Sequence, residues 1–156
     1  MPQSRASNQE VRLFNVIISG MDETPPLSIS TCNPFGDLIG LHFDSWGDGR
    51  SLCRIELTPK LLNPNGVTHG AVLYAMADTG MGGALLTTLD GGRYCTTVEI
   101  KISYFRALRG ERLSCESRVV HRGKRIAFLE AAVSDDDGLV AQASGTFAIL
   151  EPRGAA

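Results

Sequence analysis

The stretch Gly70–Leu86 is rich in Ala, Leu, Met and small residues, and its apolar positions nearly encircle a helical axis. A helix of that kind must be covered on most sides. The rest of the chain supplies strands. Leu38–Trp46 and Arg50–Leu57 alternate around Gly47-Asp48-Gly49 and read as a hairpin. After the helix come Tyr94–Arg106, Arg112–Arg122, Arg125–Asp135 and Leu139–Leu150. They are separated by Gly110-Glu111, Gly123-Lys124 and Asp135-Asp136-Asp137-Gly138, which are turn chemistries for a meander. The economical packing is α+β: one long central helix wrapped by a curved antiparallel sheet of roughly five to six strands.

The remaining segments are less constrained. Residues 1–35 read as an N-terminal extension with a short helix over 9–20. Pro25-Pro26 breaks the chain, and Asn33-Pro34-Phe35-Gly36 reads as a turn. Residues 36–151 form the domain and 152–156 a tail. Within the helix, Gly80, Gly82 and Gly83 each cost about 1 kcal/mol relative to alanine. Either a neighbouring element presses close against them or the helix frays there. Tyr94–Arg106 places Val98, Ile100, Ile102 and Tyr104 on one alternating face.

A net charge of −2 with no basic block argues against a nucleic-acid partner, and sparse aromatics argue against a base-stacking surface. Cys32, Cys53, Cys95 and Cys115 lack CxxC spacing, and His42, His69 and His121 are scattered, so no metal site is expected. Isolated thiols in apolar strands read as reduced core residues. No signal-peptide pattern and no membrane span are recognisable, and Val11–Met21 contains Arg12 and Asn15; the expected location is cytoplasmic.

Chemistry concentrates ahead of and within the helix. Asn63-Pro64-Asn65-Gly66-Val67-Thr68-His69-Gly70-Ala71 is a turn-rich run delivering the chain to a helix start. A helix start offers unpaired N–H donors and a positive dipole end, suited to a developing oxyanion. Asp78 follows among Ala75, Met76, Ala77, Met81, Ala84 and Leu85. A carboxylate buried there is expensive as structure and useful as a base or nucleophile. Acyl transfer uses both parts. Yet nine residues from His69 to Asp78 span roughly 13 Å of helix. One reacting carbon cannot sit beside both ends of that distance. Two antiparallel helices from two copies of the chain resolve the conflict.

Asn63, Gly66, His69-Gly70-Ala71 and Ala77-Asp78, followed by Thr96-Thr97-Val98-Glu99-Ile100-Lys101-Ile102-Ser103-Tyr104 and His121-Arg122-Gly123-Lys124-Arg125, resemble the hot-dog-fold acyl-CoA thioesterases of the phenylacetate-degradation type. The resemblance covers roughly residues 38–150. It implies hydrolysis of an acyl-CoA to a carboxylic acid and free coenzyme A, without a metal or redox cofactor. It also implies homodimers with shared sites, often paired into tetramers.

In this resemblance Asp78 is the general base or the nucleophile. Gly70 gives the oxyanion N–H. Asn63 either orients the carbonyl or water, or serves the turn alone. His69 braces the turn or shuttles a proton. Thr97 either holds water near the carboxylate or faces solvent. Ala71 replaces a usual glycine; its N–H stays available while its methyl narrows the space around the thioester. Tyr104, Phe105, Arg106 and Arg109, with His121, Arg122, Gly123, Lys124 and Arg125, fall in the stretches implied to hold coenzyme A, where basic groups can meet phosphate. Asp135-Asp136-Asp137-Gly138 lacks the remaining ligands of a calcium loop and reads as a hairpin turn. Two rivals remain: a non-catalytic acyl-CoA-binding module, and an enoyl-thioester hydratase, for which no histidine follows Asp78 until His121.

Overall fold

The computed structural model describes residues 33–108 and 110–151. The helix read over 9–20, the segment 152–156 and Arg109 lie outside the described residues.

The first element corrects the sequence reading. Asn33-Pro34-Phe35-Gly36 opens a helix, α1 (Pro34–Ile39), rather than a turn. Asn33 Oδ1 accepts the Gly36 N–H at 3.0 Å, Pro34 occupies the first turn, and Gly40 closes the helix at φ 73°. Cap, proline and left-handed glycine together outweigh the strand pattern over Leu38 and Ile39. The first strand, β1 (Leu41–Gly47), therefore starts later than its alternation suggests.

β1 pairs with β2 (Arg50–Glu56) through a hairpin whose central residues, Asp48 and Gly49, have φ of 47° and 74°. That is the twist-matched two-residue turn expected from Asp-Gly. After a 3-10 turn at Pro59–Leu61 comes the long helix α2 (Gly70–Leu86). Then follow β3 (Tyr94–Tyr104), β4 (Arg112–Arg122), β5 (Ile126–Asp135) and β6 (Gly138–Leu150). The six strands form one antiparallel sheet in the order β1-β2-β4-β5-β6-β3, with α2 across its inner face. This is the hot-dog architecture.

Met76, Met81 and Leu85 of α2 pack against Ile55, Leu113, Leu129, Val133 and Phe147 of the sheet. Polar contacts tie the layers together. Ser51 Oγ donates to the Gly80 carbonyl at 2.7 Å, and the Gly49 N–H donates to Thr87 Oγ1 at 2.8 Å. Gly80 and Gly83 are explained by close approach. A Cβ on Gly80 would lie 2.5 Å from Ser117 Oγ, and one on Gly83 2.7 Å from the Phe43 ring. The helix runs through all three glycines without fraying. Of the four cysteines, Cys53 and Cys115 are free and buried, Cys95 is free and half-buried, and Cys32 lies outside the described residues.

The wrap is incomplete along one strip. Ala71, Tyr74, Asp78 and Gly82, spaced by three or four residues, share a helix face that the sheet leaves open. At the sheet's end, β3 runs beside that strip as an edge strand.

Candidate active site

Asp78 lies midway along the open strip and is half-buried, not enclosed in apolar surroundings as its neighbours suggest. The oily residues around it in sequence point to the opposite side of the helix: Met76, Ala77, Met81, Ala84 and Leu85 are all buried. Asp78 instead accepts a hydrogen bond from Thr97 Oγ1 at 2.7 Å.

A β-bulge aims that threonine. The β3–β6 register shifts between Thr97 and Glu99, so Val98 is the extra residue. Before the bulge, odd-numbered residues face α2: Cys95 Sγ lies 3.8 Å from the Gly82 carbonyl, and Thr97 reaches Asp78. After it, even-numbered residues do: Ile100 and Ile102 join the core, and the Tyr104 hydroxyl donates to the Gly70 carbonyl at 3.0 Å. Val98 is thus expelled from the face that simple alternation assigns it and is 59% exposed. Thr97 turns toward the helix for the same reason.

Cys95 completes this inner row. Burial pushes its thiol up to about 11, and the Asp78 charge adds to the effect. At neutral pH the group is a thiol rather than a thiolate, and a thiol is a poor nucleophile. The carboxylate is the reactive oxygen or base that this stretch offers. Sequence reasoning overlooked Cys95, although its place two residues before Thr97 on one strand face was the available signal. Tyr74 was also passed over, and Gly82 was read only for its effect on the helix, although each is four residues from Asp78 and so shares its helix face.

At the helix start, His69 is the N-cap and its Nδ1 accepts the Ala71 N–H at 3.0 Å. The Ala71 N–H is therefore committed, contrary to the expectation that it stays available. The cap also requires an unprotonated Nδ1, which leaves Nε2 as the protonated nitrogen of the neutral ring. Gly70 keeps its N–H without an acceptor among the described residues, while its carbonyl receives Tyr104. The Tyr104 ring lies 3.4 Å from where a Gly70 Cβ would stand. Asn63 Oδ1 accepts the N–H groups of Asn65 at 2.9 Å and Val67 at 3.4 Å, and the Asn63 backbone bonds to Val67 and Gly66. Its oxygen serves the turn; its amide NH₂ makes no bond within the described residues.

The residues read as coenzyme-binding fall into two groups at opposite ends of α2. Tyr104 touches the helix start. Phe105 beside it is exposed. Arg106 is engaged otherwise: its guanidinium grips the Asp135 carboxylate through both nitrogens and also reaches the Gly138 carbonyl at 2.9 Å. The Asp135 side chain is buried, so this fork anchors the β5–β6 turn. Asp136 and Asp137 lie exposed on that turn. The second group, His121, Arg122, Gly123, Lys124 and Arg125, makes the exposed β4–β5 hairpin, closed by the Gly123 N–H on the Ile126 carbonyl at 2.8 Å. It lies toward the helix end. Val119 bonds to Gly49, which bonds to Thr87, and the Arg122 charge acts on Asp90. The length of α2, about 25 Å, separates the two groups.

Residues 65–142 match the model of the thioesterase superfamily. The chain belongs to the thioesterase superfamily. Among similar solved structures, the conserved protein PA5202 of Pseudomonas aeruginosa is 37% identical, with TM-score 0.76 over 80% of this chain and 100% of that one. A variant of the phenylacetic acid degradation protein PaaI of Thermus thermophilus is 27% identical, with TM-score 0.70 over 76% of this chain and 100% of its own. A second Pseudomonas aeruginosa protein, PA0474, an esterase by name, is 32% identical over 117 residues, covering 74% of this chain and 87% of its own. The hot-dog reading and its thioesterase assignment are thereby borne out, and the chain is a thioester hydrolase. Among the described residues, no helix is long and apolar enough to cross a membrane.

Proposed function

We propose that this thioesterase hydrolyses acyl-CoA thioesters at a site shared between two antiparallel copies of the chain. The observation that carries the proposal is the pairing of Thr97 with Asp78 on the open strip of α2, with the Gly70 N–H at the helix start unengaged among the described residues. These two features lie eight residues apart, roughly 12 Å along one helix. A second α2 running antiparallel against the open strip would bring its Gly70 to this chain's Asp78. The same arrangement brings the β4–β5 hairpin of one copy toward the Tyr104 end of the other. It thus reunites the two groups of coenzyme-binding candidates that a single chain holds apart.

In the general-base form, Asp78 takes a proton from water as the water oxygen attacks the thioester carbon. The oxyanion receives the Gly70 N–H and the positive end of the helix dipole. Collapse of the tetrahedral intermediate breaks the C–S bond. Coenzyme A leaves as a thiolate and is then protonated, and the carboxylic acid is the other product. In the nucleophilic form, an Asp78 oxygen attacks the thioester carbon, the C–S bond breaks and coenzyme A leaves as the thiolate to give a mixed anhydride. Water then hydrolyses that anhydride to the carboxylic acid and regenerates the Asp78 carboxylate. Thr97 holds the carboxylate in either case, the His69 cap holds the helix start, and the Asn63 amide is poised to orient the carbonyl or the water. We assign Arg122, Lys124 and Arg125 to the phosphates and place the enzyme in the cytoplasm, with no metal or redox cofactor.

The test is turnover of an acyl-CoA panel with a free-thiol readout. Wild-type protein is expected to release coenzyme A, and Asp78→Ala to remain folded while losing turnover. Near-normal turnover by that variant, or tight acyl-CoA binding without hydrolysis by the wild type, overturns the proposal. Single turnover in ¹⁸O-water identifies a nucleophilic route in which water cleaves the mixed anhydride at the Asp78 carbonyl. The first product then carries an unlabelled Asp78 oxygen and ¹⁸O enters Asp78, whereas the general-base route labels the product at once.

A further inference from the structure

Of the three interior glycines of α2, Gly82 alone is not demanded by packing among the described residues. Gly80 and Gly83 have side-chain atoms within 3 Å of a would-be Cβ. Around Gly82 the nearest such atom is the edge of the Phe147 ring at 3.9 Å, an ordinary contact. An interior helical glycine weakens the helix, so its presence here without a packing reason points outside the packed core. Gly82 sits one turn beyond Asp78 on the same open strip, about 6 Å along the axis. Cys95 bounds it on the β3 side, and Phe147 lies beneath. One turn on the other side of Asp78 stands Tyr74, a bulky residue. The strip is therefore blocked toward the helix start and cleared toward the helix end.

We infer that Gly82 is a specificity-determining residue: its missing side chain makes the floor on which the acyl group rests, and it sets how bulky an acyl group the enzyme accepts. The inference rests on the acyl-thioester reading above. A thioester carbon held at Asp78 has the coenzyme arm on one side and the acyl substituent on the other, and the cleared direction over Gly82 is walled by a neutral thiol and an aromatic edge. Those are partners for hydrocarbon rather than for charged or heavily hydroxylated acyl groups.

The experiment compares wild type, Gly82→Ala and Gly82→Leu on acetyl-CoA, hexanoyl-CoA and phenylacetyl-CoA. Thermal unfolding and light-scattering mass are measured alongside. Both variants are expected to fold and keep the wild-type oligomeric mass. Activity on acetyl-CoA should stay within about threefold. Hexanoyl-CoA and phenylacetyl-CoA should lose at least about tenfold in kcat/KM with Gly82→Ala, and more with Gly82→Leu. A uniform loss across all three substrates, an unchanged profile, or a change in oligomeric mass overturns the inference. Wild-type protein inactive on every thioester would instead overturn the proposed reaction, so the two failures are distinguishable.

Discussion

On its buried face, α2 presses Gly80 and Gly83 against Ser117 and Phe43 so closely that a methyl group would have to displace something. On its open face it carries Tyr74, Asp78 and Gly82, and the same methyl on Gly82 would meet, among the described residues, only the Phe147 ring edge at 3.9 Å. One seventeen-residue helix thus holds identical residues for opposite reasons. The buried face is constrained by sheet atoms already in place. On the proposed reading, the open face is constrained by the substrate and second copy that approach it from outside. Stability and activity should therefore separate by face.

The largest expected separation is at Asp78. Asp78→Asn keeps the shape and removes the proposed base or nucleophile, so kcat should fall about 10²–10⁴-fold, equivalent to roughly 3–5 kcal/mol of barrier, in a thiol-release assay. The urea midpoint should barely move, because the carboxylate is half-exposed and its one described partner is Thr97. A large loss of stability would break the comparison. Gly83→Ala is the counterpart on the buried face. Overpacking against Phe43, whose ring leans on Trp46 with centroids 4.9 Å apart, should cost about 1–3 kcal/mol, offset in part by roughly 1 kcal/mol of helix propensity. The urea midpoint of Gly83→Ala should fall while that of Gly82→Ala holds or rises; equal midpoints would erase the distinction.

Smaller effects sharpen the open face. Thr97→Ala should lower kcat about five- to tenfold, near 1–1.4 kcal/mol, with Thr97→Ser restoring it, since only the hydroxyl is required. Equal rates in both variants would mean that the hydroxyl does not serve the carboxylate. Cys95 gives the mildest probe. Its thiol is raised from about 9 in the unfolded chain to about 11. Its contribution to stability is therefore complete below pH 9 and is lost as pH rises through 11. Unfolding midpoints should decline over that window in the wild type and decline less in Cys95→Ala. Parallel curves would show that burial, with the Asp78 charge beside it, does not raise the thiol.

Much of this was readable from local chemistry. Asp48-Gly49 announced a hairpin, and the limits of the long helix, Gly70 and Leu86, stand where composition placed them. The run from Asn63 to Asp78 carried enough of a family pattern to identify the fold and the hydrolase. The errors share a cause. Asn33 through Gly36 became a helix because a cap, a proline and a closing glycine act together over a span read one turn at a time. Arg106 looked available for phosphate because Asp135 is far away in sequence.

The sequence by itself determined which segments are helix or strand, because periodicity and turn residues act over a few neighbours. It also determined which chemistry the chain holds, because carboxylate, glycine and hydroxyl are written there. Which way those groups face was decided by tertiary structure alone. The bulge at Val98 exists only in the pairing of β3 with β6, and it turns Thr97 toward Asp78. The exposure of Asp78, the commitment of the Ala71 N–H and the different duties of Gly80, Gly82 and Gly83 likewise depend on atoms distant along the chain, which no local pattern encodes.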